Sequence, residues 1–315
     1  VGVYFHLHQE AKDLEKVKKI CEDNNIEFHY IDLRKEFYEK VILPFADFYL
    51  KGLTPNICSH CNAEFKIEKL LQYAENFSCN YIATGHYARK KASLIGIAKD
   101  SWKDQSFMLY RLSEKQREKL LLPLGQKMKD EVKNFVQQCG YEEIANKRES
   151  FGLCFTNGKH YSEFLLEKYP ELKKLENGKV FNKNNQVIGT HKGYPFYTIG
   201  QYKGLNCEGK QYINKIIAEE NAIFVGEKSE CYFSTLRLNS LVFSQNIENI
   251  KKDTPYLTKI RGKDEGNFAT LREISSNHSI IEFSQRVFAP MQGQDVVVYD
   301  ENNFILFGGR IEAFS

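Results

Sequence analysis

Residues 62–85 are NAEFKIEKLLQYAENFSCNYIATG, a stretch with helical periodicity that runs into a short strand pattern. Apolar residues recur at helical spacing at Phe65, Ile67, Leu70, Leu71 and Ala74. Asn62 is predicted to cap this helix, and residues 80–84 are predicted to form a buried strand that ends at Gly85. A helix that leads into a strand is part of a β-α-β unit, so the stretch predicts a parallel sheet with helices on its faces.

The same alternation extends towards the N-terminus. Residues 1–7 and 26–33 carry strand patterns, and residues 11–23 between them carry a helical one. We therefore predict an α/β domain over residues 1–155. In parallel sheets of this kind, ligands bind at the carboxyl ends of the strands, so the loops after the strands are the places to look for chemistry.

The rest of the chain has a different pattern. Residues 156–228 are richer in glycine and turn signals, which predicts a small α+β domain. Residues 229–315 contain a series of short strands separated by turns, which is typical of a β-barrel or a sandwich.

Composition narrows the class of protein. The chain has 315 residues, 42% of them hydrophobic and 27% charged, with a net charge of +3. These values are ordinary for a folded protein of two or three domains, and they neither demand nor exclude a nucleic-acid partner. No apolar run is long enough for a membrane helix, and the N-terminus does not resemble a signal peptide. The expected location is the cytoplasm, with no membrane partner.

The strongest candidate for chemistry lies in residues 52–62, GLTPNICSHCN. Cys58 and Cys61 have C-x-x-C spacing, and Cys61 directly precedes the predicted cap Asn62. A thiol at a helix N-terminus has a lowered pKa, and the thiolate is the form that attacks sulfur. The alternative is half of a zinc site, but the chain has no second C-x-x-C pair to complete it.

Three weaker signals accompany this pair. Cys154 in Gly152-Leu153-Cys154-Phe155 is predicted to be a sheltered thiol, the alternative being simple burial. His86 follows the predicted strand in residues 81–89, YIATGHYAR, where it could meet phosphate or could be satisfied by local hydrogen bonds. Residues 103–106, Lys-Asp-Gln-Ser, fit either a helix cap or RNA contacts.

Taken in order, these segments resemble the tRNA-specific 2-thiouridylase family. The resemblance covers nearly the whole chain and is carried by residues 54–62, 83–89, 103–106, 152–155, 189–193, 197–201, 293–294 and 308–309. It implies an α/β domain of the adenine-nucleotide-hydrolase-like class, a small central α+β domain and a C-terminal β-barrel that binds tRNA.

The resemblance also implies a reaction. In that family ATP, with magnesium as the expected companion ion, adenylates the 2-oxygen of the wobble uridine, and a cysteine persulfide then attacks the base. Cys154 resembles the residue that bears the persulfide, which a donor protein supplies. Cys61 resembles the second cysteine, which forms a disulfide with it as sulfur is released. Cys58 stands where many members have an acidic residue that could serve as acid or base.

Binding residues are implied in the same way. Phe5 and Gly85 resemble contacts to ATP. The residues that resemble tRNA contacts are Asn56, Ile57, Cys58, His86, Lys103, Asp104, Gln105, Arg261 and Gln294. The family's glycine-rich S-G-G-V-D-S loop, which cradles ATP phosphates, is expected about one helix and a turn before Val1, so the α/β domain is expected to be truncated at its N-terminus.

Three alternatives remain open at this point. One is a tRNA-binding paralogue that lacks the ATP loop and does not catalyse the reaction. Another is a variant in which Cys58, Cys61 and Cys154 hold an iron–sulfur cluster, because three cysteines with one open position can bind such a cluster. The third is a thiol or metal protein unrelated to RNA, which only the C-x-x-C pair favours.

Overall fold

A computed structural model describes residues 1–8, 11, 13–147 and 152–315. The strands of the N-terminal domain are β1 (Gly2–His6), β2 (Phe28–Asp32), β3 (Ile82–Ala83), β4 (Arg89–Lys91), β5 (Leu94–Gly96) and β6 (Leu120–Leu121). Its α-helices are α1 (Leu14–Asp23), α2 (Arg34–Phe37), α3 (Leu43–Leu50), α4 (Ile57–His60), α5 (Ile67–Asn76), α6 (Glu114–Lys119), α7 (Lys129–Gln138) and α8 (Glu142–Ala145). Two π-helical segments, Tyr38–Ile42 and Cys61–Lys66, and three 3₁₀ turns, Ser101–Lys103, Ser106–Leu109 and Cys154–Thr156, complete it.

Parallel pairing confirms the α/β class of this domain. β1 pairs in parallel with β2, and β3 pairs in parallel with β6. Helices lie between the strands of each pair along the chain, as parallel crossovers require. β4 and β5 form an antiparallel hairpin.

The helix that carries the C-x-x-C pair begins earlier than the sequence pattern predicts. α4 starts at Ile57, so Asn56 and not Asn62 occupies the N-cap position. The helical path then continues through the π segment Cys61–Lys66 into α5. Pro55 has no N–H to donate and suits the approach to a helix start, which explains the earlier beginning. The placement of Cys61 at the helix N-terminus was therefore wrong, because Cys61 lies one turn inside the helix.

The central domain contains one helix and a five-stranded sheet. Its elements are α9 (Tyr161–Lys168), the 3₁₀ turns Pro170–Leu175, Tyr194–Phe196 and Lys228–Cys231, and β7 (Gly178–Phe181), β8 (Val187–His191), β9 (Asn206–Cys207), β10 (Tyr212–Ile217) and β11 (Ala222–Gly226). The strand order is β10-β11-β7-β8-β9. Only β11 and β7 pair in parallel, so the α+β prediction is confirmed.

The C-terminal part is a closed barrel and not a sandwich. Its strands are β12 (Tyr232–Phe243), β13 (Pro255–Lys259), β14 (Asn267–Ile274), β15 (His278–Phe288), β16 (Asp295–Tyr299) and β17 (Ile305–Phe314), with one 3₁₀ turn at Ile247–Asn249. They close in the order β12-β15-β14-β13-β16-β17. Closure removes the exposed sheet edges that an open sheet would leave.

In the part of the chain that the structure describes, helices long and apolar enough to cross a membrane are absent.

Candidate functional site

The structure brings three cysteines into one electrostatic neighbourhood, which we call the thiol cluster (Cys58, Cys61 and Cys154). Cys58 lies in α4, Cys61 begins the π segment, and Cys154 begins the turn Cys154–Thr156. Charge on Cys154 raises the pKa of both other thiols after burial, the larger cause, so the cysteines interact although they come from distant parts of the chain. All eight cysteines of the chain are free thiols in this structure.

Burial dominates the chemistry of the C-x-x-C pair. Cys61 is only 4% exposed, and burial raises the pKa of its thiol to about 12. Burial also raises the pKa of Cys58. The prediction that Cys61 is a low-pKa thiolate was therefore wrong for this conformation. Burial removes water from the sulfur and so disfavours the thiolate, and the helix N-terminus that would stabilise the charge lies one turn away.

Cys154 contrasts with this pair because its side chain is exposed. The expectation of a sheltered thiol was therefore wrong. Gly152, two residues before it, has a φ of +102°, a backbone conformation that glycine adopts readily. The next residue, Phe155, is buried and packs against the rings of Phe45 and Phe164 at centroid distances of 5.2 and 5.1 Å. The buried ring anchors the turn, while the Cys154 thiol stays exposed to solvent.

One residue of this neighbourhood escaped the sequence analysis. The Lys66 ammonium lowers the pKa of Cys58 and of Cys61, opposing the larger effect of burial. Lys66 ends the π segment that Cys61 begins. In an α-helix, residues five apart point in very different directions, whereas a π-helix joins residue i to residue i+5 and brings them to adjacent turns. The π segment, which the pattern of apolar residues does not reveal, is what turns Lys66 towards the thiols.

His86 belongs to the same neighbourhood. Its Nδ1 lies 2.9 Å from the Thr84 hydroxyl. Burial, together with the nearby Lys66 ammonium, lowers the pKa of His86 to about 4, so the ring is neutral at physiological pH. A neutral imidazole can exchange a hydrogen bond with a base or a ribose, but it does not offer a positive charge to phosphate.

The predicted tRNA segment at residues 103–106 divides into buried and accessible parts. The Asp104 carboxylate is 1% exposed and forms an ion pair with Lys259 of β13 at 3.1 Å. It also accepts hydrogen bonds from the backbone of Ala98 and Ser106. The carboxylate oxygens are thus occupied inside the protein in this conformation, and the tRNA contact of Asp104 stays a prediction.

Lys103 and Gln105 flank that buried carboxylate and are half-buried at the surface. The Gln105 side-chain oxygen accepts a hydrogen bond from the Tyr87 N–H at 2.9 Å, and the Gln105 N–H donates to the Tyr87 carbonyl at 2.8 Å. These two bonds tie the loop of His86 to the predicted tRNA segment, so the structure brings these sequence-predicted residues together.

A buried carboxylate holds the loop before the thiols against the barrel. Asp295, at the start of β16, is 2% exposed and accepts a hydrogen bond from the Asn56 side-chain amide at 2.9 Å. The Ser59 hydroxyl donates to the same oxygen. The Gln294 side-chain oxygen accepts from the Asp295 N–H at 3.1 Å, so Asn56 and Gln294 meet around this residue.

A cavity of about 270 Å³ lies beside this network. Its lining comprises Pro44, Phe48, Pro55, Asn56, Ile57, His60, Glu64, Arg111 and Arg310. The lining includes Asn56 and Ile57, which are predicted to contact tRNA, although Ile57 is only 4% exposed. The Arg111 and Arg310 guanidiniums were missed by sequence reasoning because they lie far apart in the chain, and only the fold brings both beside Asp295. Cys58, Cys61 and Cys154 are not among its lining residues.

The remaining predicted residues are more scattered. Arg261 is half-buried, and its guanidinium donates to the Ala289 carbonyl within the barrel region. Burial lowers the pKa of Arg261. Phe5 lies near the carboxyl end of β1, 5.9 Å from the ring of Tyr73, and Gly85 follows the carboxyl end of β3 with its backbone exposed. Phe5 and Gly85 thus lie at the carboxyl ends of parallel strands, where ligands bind in such sheets.

The residues that the structure describes contain no prearranged metal site. Groups of three or more His, Cys, Asp or Glu placed to hold a metal ion are absent from residues 1–8, 11, 13–147 and 152–315. The three cysteines of the thiol cluster are thus near enough to influence one another's pKa, but they do not form the close ligand set that an iron–sulfur cluster uses.

Comparison with known proteins matches this architecture. The model described as tRNA methyl transferase HUP domain matches residues 6–158, and the one described as tRNA methyl transferase PRC-barrel domain matches residues 162–227. The tRNA-specific 2-thiouridylase MnmA 1 of Clostridium tetani is 34% identical over 95% of this chain and 83% of its own length. The corresponding MnmA of Campylobacter jejuni is 32% identical over 98% and 91%, and that of Cytophaga hutchinsonii is 33% identical over 90% and 79%. The chain therefore belongs to the tRNA-specific 2-thiouridylase family.

Proposed function

We propose that this protein transfers sulfur to the 2-position of the wobble uridine of tRNA, with Cys154 as the persulfide carrier and Cys61 as the resolving thiol. The observation that carries the proposal is the thiol cluster, in which the exposed Cys154 thiol lies within electrostatic reach of the buried Cys61 and the partly buried Cys58, beside Lys66. Sulfur relay needs this asymmetry, because the carrier must meet a donor protein whereas the resolving thiol must be kept from competing reactions.

The proposed steps balance in atoms and electrons. The outer sulfur of the Cys154 persulfide bonds to C2 of the uridine, and the activated 2-oxygen leaves. The Cys61 sulfur then attacks the inner Cys154 sulfur, so that the sulfur–sulfur bond breaks and its electron pair stays on the sulfur attached to the base. The product is a thiocarbonyl and a Cys61–Cys154 disulfide, which an external thiol must reduce before the next cycle.

The resting state protects this relay. With a pKa of about 12, Cys61 is a protonated thiol at physiological pH and is not a competing nucleophile. Loss of its proton is assisted by Lys66, whose charge favours the thiolate. Cys58, which has a raised pKa as well, is proposed to exchange a proton with the base, in the position where family members carry an acidic residue.

ATP is the proposed activating cosubstrate and would supply the adenylate that makes the 2-oxygen a leaving group. The residues present fit an adenine nucleotide: Phe5 offers an aromatic side chain at the end of β1, and the exposed Gly85 backbone can approach a ligand closely. A Cβ at Gly85 would meet one atom within 4 Å, the Leu124 Cδ1 at 3.7 Å, so the ligand face of this glycine is open. Magnesium is expected to accompany the nucleotide.

The three-domain division is proposed with boundaries at residues 1–155, 156–228 and 229–315. The secondary structure supports this division. The α-helix, the strands and the 3₁₀ turns of the central domain lie between Tyr161 and Cys231, and the first barrel strand starts at Tyr232. The proposed partners are tRNA and a protein that delivers persulfide. Free thiols throughout the chain support the cytoplasm as the place of action.

The decisive experiment is retardation of tRNA in a mercury-containing gel, because mercury binds thiocarbonyl sulfur. For this experiment the protein is produced with the family's nucleotide-binding loop placed before Val1. It is incubated with tRNA, ATP and a persulfide donor. We expect retarded tRNA with the wild type, none with Cys154→Ser or Cys61→Ser, and normal retardation with Cys139→Ser, a matched control at another exposed cysteine.

Retardation that persists in Cys154→Ser would contradict the persulfide role. Iron-dependent absorbance that disappears in Cys58→Ser would instead support the cluster route. Loss of product in Cys139→Ser as well would show that the substitutions act through the fold and not through the relay.

A further inference from the structure

The chain's single tryptophan, Trp102, is unusually exposed. It lies in the 3₁₀ turn Ser101–Lys103, and 88% of its surface is open to solvent. Ring contacts to it are absent among the residues that the structure describes. Indole is the largest side chain and is normally well buried, so one with this much exposed surface is a feature to explain.

The turn that presents Trp102 is held from both sides. Asp100, before it, is 6% exposed, and its carboxylate accepts a hydrogen bond from the Lys129 N–H at the start of α7 at 2.9 Å. Asp104, after it, accepts from Ala98 and Ser106 and pairs with Lys259. Two buried carboxylates thus fix the ends of the turn while its middle projects outward.

This arrangement lowers the entropic cost of binding. A ring on a fixed turn loses little backbone freedom when a ligand covers it, unlike a ring on a mobile loop. The next residue in the chain is the basic Lys103, and the Asp104 carboxylate that follows is paired with Lys259 inside the protein. The ligand that fits an exposed flat ring beside a cation is itself flat and anionic, which describes a nucleotide.

We propose that Trp102 is a stacking site for an unpaired nucleobase of the tRNA substrate, with Lys103 contacting an adjacent phosphate. The inference rests on the proposed function, because it assigns a further contact to the same tRNA. It differs from the residues implied by the family resemblance, which include Lys103, Asp104 and Gln105 but not the tryptophan. Stacking on indole tolerates any base, so the site contributes affinity and not sequence selectivity.

The test uses Trp102 as its own reporter, since all tryptophan emission of this protein arises from that residue. Labelled tRNA is titrated so that binding is measured by the label and stacking by tryptophan quenching in the same sample. We expect quenching to follow binding, Trp102→Leu to weaken tRNA binding about tenfold, and Trp102→Phe to retain most of the affinity.

Salt dependence separates stacking from charge. Lys103→Gln should reduce the slope of log affinity against log salt by about 1, whereas Trp102→Leu should leave that slope unchanged. Phe135→Leu, at another exposed ring (64%) on α7, is the matched control and should bind like the wild type.

Three results would overturn the inference. Labelled tRNA that binds without quenching, or that binds Trp102→Leu as tightly as the wild type, refutes the stacking site alone. Quenching by a persulfide-donor protein and not by tRNA assigns the surface to a protein partner. Absence of any tRNA binding to the wild type, reported independently by the label, refutes the proposed function together with the inference.

Discussion

At the scale of single residues, the site depends on a competition between burial and one ammonium group. Burial raises the pKa of Cys61 to about 12, and the opposing charge of Lys66 is the favourable interaction that remains. The sequence singled out the C-x-x-C pair, and the reactivity of these cysteines stays a prediction. Their burial could not be predicted, because C-x-x-C spacing is the same at an exposed helix end and inside a helix. Lys66 looked like any other lysine on a helix.

We expect Lys66→Gln to raise the pKa of Cys58, Cys61 and His86 together. The sign is the same for all three, because a nearby positive charge disfavours protonation of each group, and removing it restores the protonated form. Alkylation of Cys58 and Cys61, followed peptide by peptide by mass spectrometry across pH, should become severalfold slower at a given pH. The His86 titration, followed by NMR, should move upward from about 4.

Two variants make that experiment specific. Lys66→Arg keeps the charge and should leave the alkylation profiles close to those of the wild type. Lys69→Gln removes a neighbouring lysine whose ammonium pairs with Glu36, and it should leave all three groups unchanged. Equal effects of Lys66→Gln and Lys69→Gln would mean that the thiols respond to the helix as a whole and not to Lys66.

At the scale of elements, the sequence identified the helix and strand types well and their details less well. The helix around Phe65 to Ala74, the strand before Gly85 and the barrel strands follow from apolar periodicity, which tertiary structure preserves. The start at Ile57 does not follow from that periodicity, and neither does the π segment Cys61–Lys66, which has contacts from distant parts of the chain. One of these contacts comes from Gln116 in α6, whose side-chain N–H donates to the Ala63 carbonyl at 2.7 Å.

The contact between Gln116 and the π segment leads to a stability prediction. Gln116 accepts from the Ser113 N–H in a capping box and donates to Ala63, so Gln116→Met breaks the box and leaves the buried Ala63 carbonyl without this donor. We expect Gln116→Met to lower the free energy of unfolding by about 1–3 kcal/mol. Ser113→Ala removes only the cap and should cost about 1 kcal/mol. Urea unfolding measures both, and equal losses would mean that the Ala63 contact contributes nothing.

At the scale of the whole molecule, the three domains are not separate bodies with separate cores. One buried cluster joins Phe45 and Phe65 of the N-terminal domain to Val180 and Ile223 of the central sheet. A second joins the N-terminal domain to the barrel, where Tyr110 packs with residues of β16 and β17. Composition and strand spacing predicted three units, but they carry no information on which side chains cross between them. Asp295 and Lys259 are examples of such crossing side chains. Each belongs to the barrel and bonds to a residue of the N-terminal domain at the candidate site, Asp295 to Asn56 and Lys259 to Asp104.

The Lys259–Asp104 pair gives the prediction for this scale. Both side chains are almost fully buried, and they link β13 of the barrel to the turn that presents Trp102. Removing one partner leaves the other as an uncompensated buried charge, so we expect Lys259→Met to cost about 3–5 kcal/mol of unfolding free energy. The double variant Lys259→Met with Asp104→Asn should recover part of this loss, because the amide keeps an acceptor for Ala98 and Ser106 without the charge.

The coupling between barrel and turn has a local readout as well. If the pair fixes the turn, the fluorescence anisotropy of Trp102 should fall in Lys259→Met and return towards the wild-type value in the double variant. This measurement is made at temperatures where all three proteins are folded, so that it reports the turn and not global unfolding. Unchanged anisotropy with lowered stability would show that the barrel supports the fold of the N-terminal domain without positioning the turn that carries Trp102. A loss smaller than that of an exposed ion pair, below about 1 kcal/mol, would show that water reaches the pair.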